Sequence, residues 1–80
     1  MEINFYTRQR CQLCEEAKLI LQLMQSDFPF KINEIDIDMS DELTEKYGIM
    51  IPVVEMEGKV IQYGIIDPFT IEEQLKKHIN

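Results

Sequence analysis

Between Thr7 and Leu13 the hydrophobic period of this chain changes, and the change falls on its two cysteines. Ahead of it, Glu2-Ile3-Asn4-Phe5-Tyr6-Thr7 alternates polar residues with Ile3 and Phe5 and is rich in β-formers, which predicts a strand over residues 2–7. Beyond it, Leu13, Ala17, Ile20, Leu21, Met24 and Phe28 recur at spacings of three and four. That spacing predicts an amphipathic helix of about four turns, ending near Ser26-Asp27 before Pro29. A strand that runs straight into a helix must bury one face of each against the other, so the chain is committed to a layered α/β arrangement with Cys11-Gln12-Leu13-Cys14 at the junction.

The remaining residues extend this pattern. Phe30 to Asp38 carries Phe30, Ile32, Ile35 and Ile37, with the alternation slipping one place at Asn33-Glu34. This predicts a strand with an irregular start or a bulge, clearest over Ile35-Asp36-Ile37-Asp38. Ser40 is placed to cap a short helix over residues 41–47, with Asp41 and Glu42 complementing its dipole and Gly48 supplying a left-handed end. Val53-Val54-Glu55-Met56 and Lys59-Val60-Ile61-Gln62-Tyr63 are β-rich runs around Glu57-Gly58, a linker that suits an antiparallel hairpin. Thr70-Ile71-Glu72-Glu73 has the spacing of a capping box, opening a last helix with Ile71, Leu75 and Ile79 on one side.

The expected order is β-α-β-α-β-β-α. The first two strands are joined through a helix and become parallel neighbours, and the hairpin adds an antiparallel pair. The fold class is thus α/β, a four-stranded mixed sheet flanked by three helices. At 80 residues, a chain that can bury only roughly 60% of its unfolded surface has room for one domain, expected to span residues 1–80.

Charge narrows the function. Fifteen acids against 8 Lys and Arg leave a net charge of −7, the wrong sign for phosphate contacts, so nucleic acid is not an expected partner. No apolar run approaches the ~20 residues that span a bilayer, and the first residues lack a basic segment followed by an apolar one. A cytoplasmic monomer is the expectation. Two cysteines three residues apart cannot staple distant parts of a chain, so they point to chemistry.

That chemistry is disulfide exchange, which needs a thiolate that solvent can reach. Cys11 starts the helix, where unpaired N–H groups and the positive end of the dipole favour an anion, and Arg8 and Arg10 lie within three residues of it. A fall in its pKa from ~8.5 into the ~4–7 range is ordinary for such a motif. Glu15 and Glu16 oppose this from about a turn further along. Cys14, three residues on and next to the apolar stripe, is the expected buried thiol that resolves a mixed disulfide.

Other readings compete. Zinc wants four ligands, and the chain adds only His78 to the pair, near the opposite terminus. Two inert buried cysteines would leave the junction and its arginines unexplained. Two chains could together ligate a metal or an iron–sulfur cluster, which keeps a non-catalytic binding or metal-bridging module open as an alternative. The Asp36, Asp38, Asp41 and Glu42 run lacks calcium-loop spacing and reads as a solvated strand end and helix cap. The five methionines read as core filler. Pro52 belongs at the first residue of its strand; a cis Ile51-Pro52 bond would leave the Ile51 backbone free for a substrate, but X-Pro bonds are cis in only ~5% of cases, so trans is the default.

Tyr6-Thr7-Arg8-Gln9-Arg10-Cys11-Gln12-Leu13-Cys14, followed by Ile51-Pro52-Val53-Val54 and Gly64, resembles the glutaredoxins over nearly the whole chain. The likeness is strongest to glutaredoxin-like proteins with Cys-x-Leu-Cys, Asp-Ile-Asp and Tyr-Gly-x-x-Ile-Pro-Val, here Cys11–Cys14, Asp36–Asp38 and Tyr47–Val53. The resemblance implies a thioredoxin-type fold, Cys11 as nucleophile, Cys14 as resolving thiol and a cis Pro52. By the same likeness Arg8, Ile51, Pro52 and Gly64 bind substrate and Arg10 supports. It also implies no bound cofactor, glutathione as a co-substrate, clients that are disulfide-containing or glutathionylated proteins, and glutathione or a thioredoxin reductase as electron donor. Cys-Gln-Leu-Cys replaces the glutaredoxin Cys-Pro-Tyr-Cys. Met50-Ile51-Pro52 replaces Thr-Val-Pro, and Gln62-Tyr63-Gly64 replaces the Gly-Gly before the last helix; both of these touch glutathione-binding positions.

Overall fold

The computed structural model describes the backbone of residues 1–79 and the side chains of residues 1–78. Its elements are β1 (Glu2–Thr7), α1 (Gln12–Met24), β2 (Lys31–Asp36), a 3-10 turn (Ile37–Met39), α2 (Asp41–Tyr47), β3 (Val53–Met56), β4 (Lys59–Tyr63) and α3 (Pro68–Ile79). The sheet order is β2-β1-β3-β4, with β1 parallel to β2 and antiparallel to β3, and β3 antiparallel to β4.

Alternation along the strands divides the core into two layers. Ile3, Phe5, Val54 and Met56 face one side and pack with Cys14, Ala17, Leu21 and Met24 of α1 and Ile71 and Leu75 of α3. Tyr6 and Val53 face the other side and pack with Ile37 and Tyr47. The side chain of Ile79, expected beside Ile71 and Leu75, lies outside the described residues.

Several local expectations are corrected. No bulge breaks β2: its pairing runs without a slip from Glu2 opposite Lys31 to Thr7 opposite Asp36. The alternation slips because Ile32 faces the α1 layer while Ile35 faces the α2 layer. Between them Asn33 donates to Asn4 Oδ1 at 3.1 Å, and Asn4 donates to Glu55 Oε1 at 3.0 Å, so a polar ladder crosses three strands. The irregularity lies instead in the hairpin, where Glu55 pairs with Val60 and Ile61 is skipped. β2 stops at Asp36 because that side chain accepts from the Asp38 N–H at 2.9 Å and caps a 3-10 turn where strand was expected.

Ser40 caps α2 as expected, accepting from the Leu43 N–H at 3.2 Å. Gly48 is not left-handed: it lies at φ −53°, and a Cβ there would meet the Thr44 carbonyl oxygen at 2.5 Å. The hairpin turn uses Glu57 at φ 52° and Gly58 at φ 78°, the two positive values a two-residue turn of matching twist requires. The last helix starts earlier than the Thr70 capping box predicts. Asp67 Oδ1 accepts from the Phe69 N–H at 3.1 Å, Thr70 Oγ1 donates to Asp67 Oδ2 at 3.1 Å, and Pro68 fills the first helical position, where no N–H is needed. Core filler describes only some methionines: Met24 and Met56 are buried, while Met39 is 85% exposed.

Candidate functional site

The site is built where three loops meet at one end of the sheet. β1 delivers its last residue, Thr7, into the cysteine loop. Antiparallel pairing sets Tyr6 opposite Val53, so Pro52 and Ile51, just ahead of Val53, lie at the end of the sheet where Thr7 and Arg8 leave it. Tyr63 pairs with Val53 on the other side, which brings Gly64 to the same end.

Within the first loop, Arg10 adopts φ 57°, a left-handed conformation that turns the chain from the strand direction into α1. Cys11 follows in extended conformation as the N-cap of α1. Its Sγ accepts from the Cys14 N–H at 3.1 Å, the bond that a Ser or Asp side chain makes at other helix starts. The sulfur thus satisfies one of the orphan donors of the first turn, and in the reduced protein that N–H and the helix dipole favour the thiolate over the thiol. Cys11 and Cys14 are joined as a disulfide, with Cα atoms 5.2 Å apart. Cys14 is 2% exposed and belongs to the α1 core layer, whereas Cys11 is only partly buried at its margin. Leu13, expected in the buried stripe of α1, is 43% exposed beside the sulfurs.

The two arginines differ. Arg8 Nε donates to Asp38 Oδ1 at 2.9 Å, so a carboxylate from the 3-10 turn takes up much of its charge. Arg10 is exposed. Arg8 and Arg10 line a cleft of about 360 Å³ that reaches Cys14 and is walled on its far side by Lys18, Glu34 and Asp36. Lys18 Nζ lies 3.1 Å from Glu34 Oε2, tying α1 to the edge strand.

The Ile51–Pro52 peptide bond is cis, and Pro52 is buried. The Pro52 carbonyl accepts from the Gly64 N–H at 2.8 Å, and Gly64 sits at φ 76°, where any side chain would be strained. Ile51 packs against the same core layer as Cys11. Its backbone is not wholly free, since the Ile51 N–H donates to the Tyr47 carbonyl at 3.2 Å. An extended substrate must displace that bond or pair through the Ile51 carbonyl. Behind this loop Glu55 collects donors on the α2 face: Tyr6 Oη at 3.2 Å, Asn4 Nδ2 at 3.0 Å and Tyr47 Oη at 3.4 Å. The Tyr6 hydroxyl is pushed up from 10.0 to about 12, first by burial, then by the Glu55 charge and the bond to it.

Sequence reasoning assigned no part to Asp38, the Tyr47 carbonyl or Asp67. Asp67-Pro68 could have been found, because Asp followed by Pro is itself a helix-start signal. Asp38 could not, since 30 residues separate it from Arg8. Among the described residues no group of three or more His, Cys, Asp or Glu side chains is arranged to hold a metal ion.

Comparison with known proteins agrees with this geometry. The chain is 37% identical over 73 residues to the glutaredoxin-like protein YDR286C homolog of Dictyostelium discoideum, a match covering 84% of this chain and 68% of that one. The solution NMR structure of protein Ne2328 from Nitrosomonas europaea superposes with a TM-score of 0.83 at 30% identity, covering 92% of this chain and 89% of that one. Thioredoxin 1 from Thermosipho africanus TCF52B shares the fold over the full length of both chains, with a TM-score of 0.65 at 19% identity. The family model described as glutaredoxin-like domain (DUF836) matches residues 2–80. The chain therefore belongs to the glutaredoxin-like domain family, a thioredoxin-fold protein whose Cys11–Cys14 disulfide is of the thiol-oxidoreductase type.

Proposed function

We propose that the protein is a small cytoplasmic thiol-disulfide oxidoreductase that reduces protein or glutathione mixed disulfides and so serves cellular redox balance. The observation that carries this reading is the N-cap bond from the Cys14 N–H to Cys11 Sγ, on the more exposed of the two sulfurs. In the reduced protein the Cys11 thiolate attacks one sulfur of a client disulfide; that bond breaks, a thiolate leaves and a mixed disulfide forms on Cys11. Cys14 then loses its proton and attacks Cys11 Sγ, releasing the second client thiolate and closing the Cys11–Cys14 disulfide. Two electrons pass to the client, and glutathione or a thioredoxin reductase returns them. Ile51 and Pro52 carry the client backbone, Gly64 leaves room beside it, Arg8 orients charge, and Arg10 supports the Cys11 thiolate. The protein itself needs no bound cofactor for these steps.

Thiol trapping and turnover with a glutathionylated peptide test this directly. Cys11→Ser abolishes turnover, whereas Cys14→Ser stops at the mixed disulfide or turns over only with added glutathione. A Cys11→Ser protein that retained full reductase activity, or a reduced Cys11 that alkylated no faster than a free thiol, would end the proposal. Recycling the oxidised protein with glutathione plus glutathione reductase, and separately with thioredoxin reductase, identifies the donor.

A further inference from the structure

Opposite the cleft of Arg8 and Arg10, the cis-proline side of the end of the sheet that holds the sulfurs is apolar. Leu13, between the cysteines, is 43% exposed; Ile49, just before the cis-proline loop, is 102% exposed; Ile65, next to Gly64, is 78% exposed. Leu13 lies in the first turn of α1, and Ile49 and Ile65 belong to the two loops that converge on that end of the sheet, with Ile51 beside them in sequence. A soluble chain leaves so many large apolar side chains around one reactive centre at a cost in hydration, which marks a contact surface.

Glutathione carries two carboxylates and one ammonium, and each carboxylate needs a cation or free N–H donors. Of the sources near the sulfurs, Arg8 and the start of α3 are already engaged, which leaves the exposed Arg10 to meet one of the two carboxylates. Arg8 is held by Asp38 at 2.9 Å. The N-terminus of α3, which begins after Gly64, is filled by its own Asp67 carboxylate: Asp67 accepts from the Phe69 N–H and the Thr70 hydroxyl, and Pro68 offers no donor. Asp67 is further fixed by its N–H donating to Gln62 Oε1 at 2.9 Å. On a chain of net charge −7, these contacts leave Arg10 as the exposed cation beside the sulfurs, one charge for the two carboxylates of glutathione.

We infer that the client of this site is a protein disulfide within an extended, apolar, neutral or lysine-bearing segment, and that glutathione disulfides are poor substrates. This rests on the thiol-disulfide reading above and specifies its substrate class. The Cys11 thiolate attacks the client disulfide, Cys14 closes the internal bond, and both client sulfurs leave as thiols. The apolar rim supplies binding energy that a tripeptide with polar ends cannot use.

The test mixes the reduced protein with one of three disulfides: an apolar peptide with lysine flanks, oxidised glutathione, and the small neutral hydroxyethyl disulfide. Closure of Cys11–Cys14 is followed by alkylation and mass. The peptide reacts at least about tenfold faster than oxidised glutathione, a difference of about 1.4 kcal/mol. The Ile49→Ser/Ile65→Ser double variant, whose two sites lie in solvent and cannot disturb the core, lowers the peptide-to-glutathione ratio by about tenfold. Oxidised glutathione reacting as fast as the peptide, or a ratio untouched by the double variant, overturns the inference and leaves the oxidoreductase reading standing. Failure of all three disulfides, the neutral one included, overturns that reading and the inference with it.

Discussion

Raising the pH should strip stability from the α2 face of the sheet through Tyr6. Its hydroxyl is 9% exposed as part of the residue, donates to Glu55 and is pushed up from 10.0 to about 12. Below pH 10.0 both folded and unfolded chains keep the Tyr6 proton, and the contribution is fully present. Between 10.0 and about 12 the unfolded chain has released that proton while the folded chain retains it, so stability falls as pH rises. Above about 12 both states are ionised and the contribution is gone. A shift of this size corresponds to a loss of about 2–3 kcal/mol across that window. Tyr6→Phe removes the proton and should flatten the curve by that amount, although the variant starts lower because Glu55 loses a donor. Glu55→Gln should leave part of the slope, since burial, the larger cause, remains. Urea unfolding of the oxidised protein at steps between about pH 8 and about pH 12 gives the curves, and the ¹³Cζ shift of Tyr6 gives its midpoint directly. Parallel curves for wild type and Tyr6→Phe, or a Tyr6 midpoint near the ordinary tyrosine value, would refute the account of this cluster.

Three further outcomes follow from single contacts. Leu21, 0% exposed between α1 and the sheet, should cost about 2–5 kcal/mol on Leu21→Ala, read as a lower urea midpoint at unchanged slope. Asp67→Ala removes the cap of α3 and should cost about 1 kcal/mol, lowering the melting temperature by about 4–8 °C; no change would mean that Thr70 begins the helix after all. Asp38→Asn releases the Arg8 guanidinium towards the cysteine loop, so the pH midpoint of Cys11 alkylation should move down. An unchanged midpoint would show that Arg8 has no influence on the sulfur.

Local signals and tertiary ones separate cleanly in this chain. The period change at residues 7–13, the Ser40 cap and the Glu57-Gly58 turn are short-range, and each element they mark is present. Sidedness was harder. Ile32 and Ile35, three residues apart, face opposite layers, and Asn33 between them is satisfied by Asn4 and Glu2 of β1, partners that no window of β2 can show. Two local signals competed at the last helix, and Asp67-Pro68 prevailed over Thr70-x-x-Glu73 because a proline at the first helical position and a carboxylate cap act together. At the site, the positions of the two sulfurs and of Pro52 were legible from motif spacing. The engagement of Arg8 by Asp38 and of the Ile51 N–H by Tyr47 was not, since both depend on how the 3-10 turn and α2 pack over the sheet.

β1 has a neighbour on each edge, β2 and β3, and only Arg8, Gln9 and Arg10 separate its end from Cys11. The nucleophile is therefore tethered to the strand whose amides should exchange last with solvent, so thermal breathing at the periphery leaves the sulfur geometry intact. Wear on this protein should accordingly appear as fewer folded molecules, each survivor working at its full rate, and not as a population of sluggish ones.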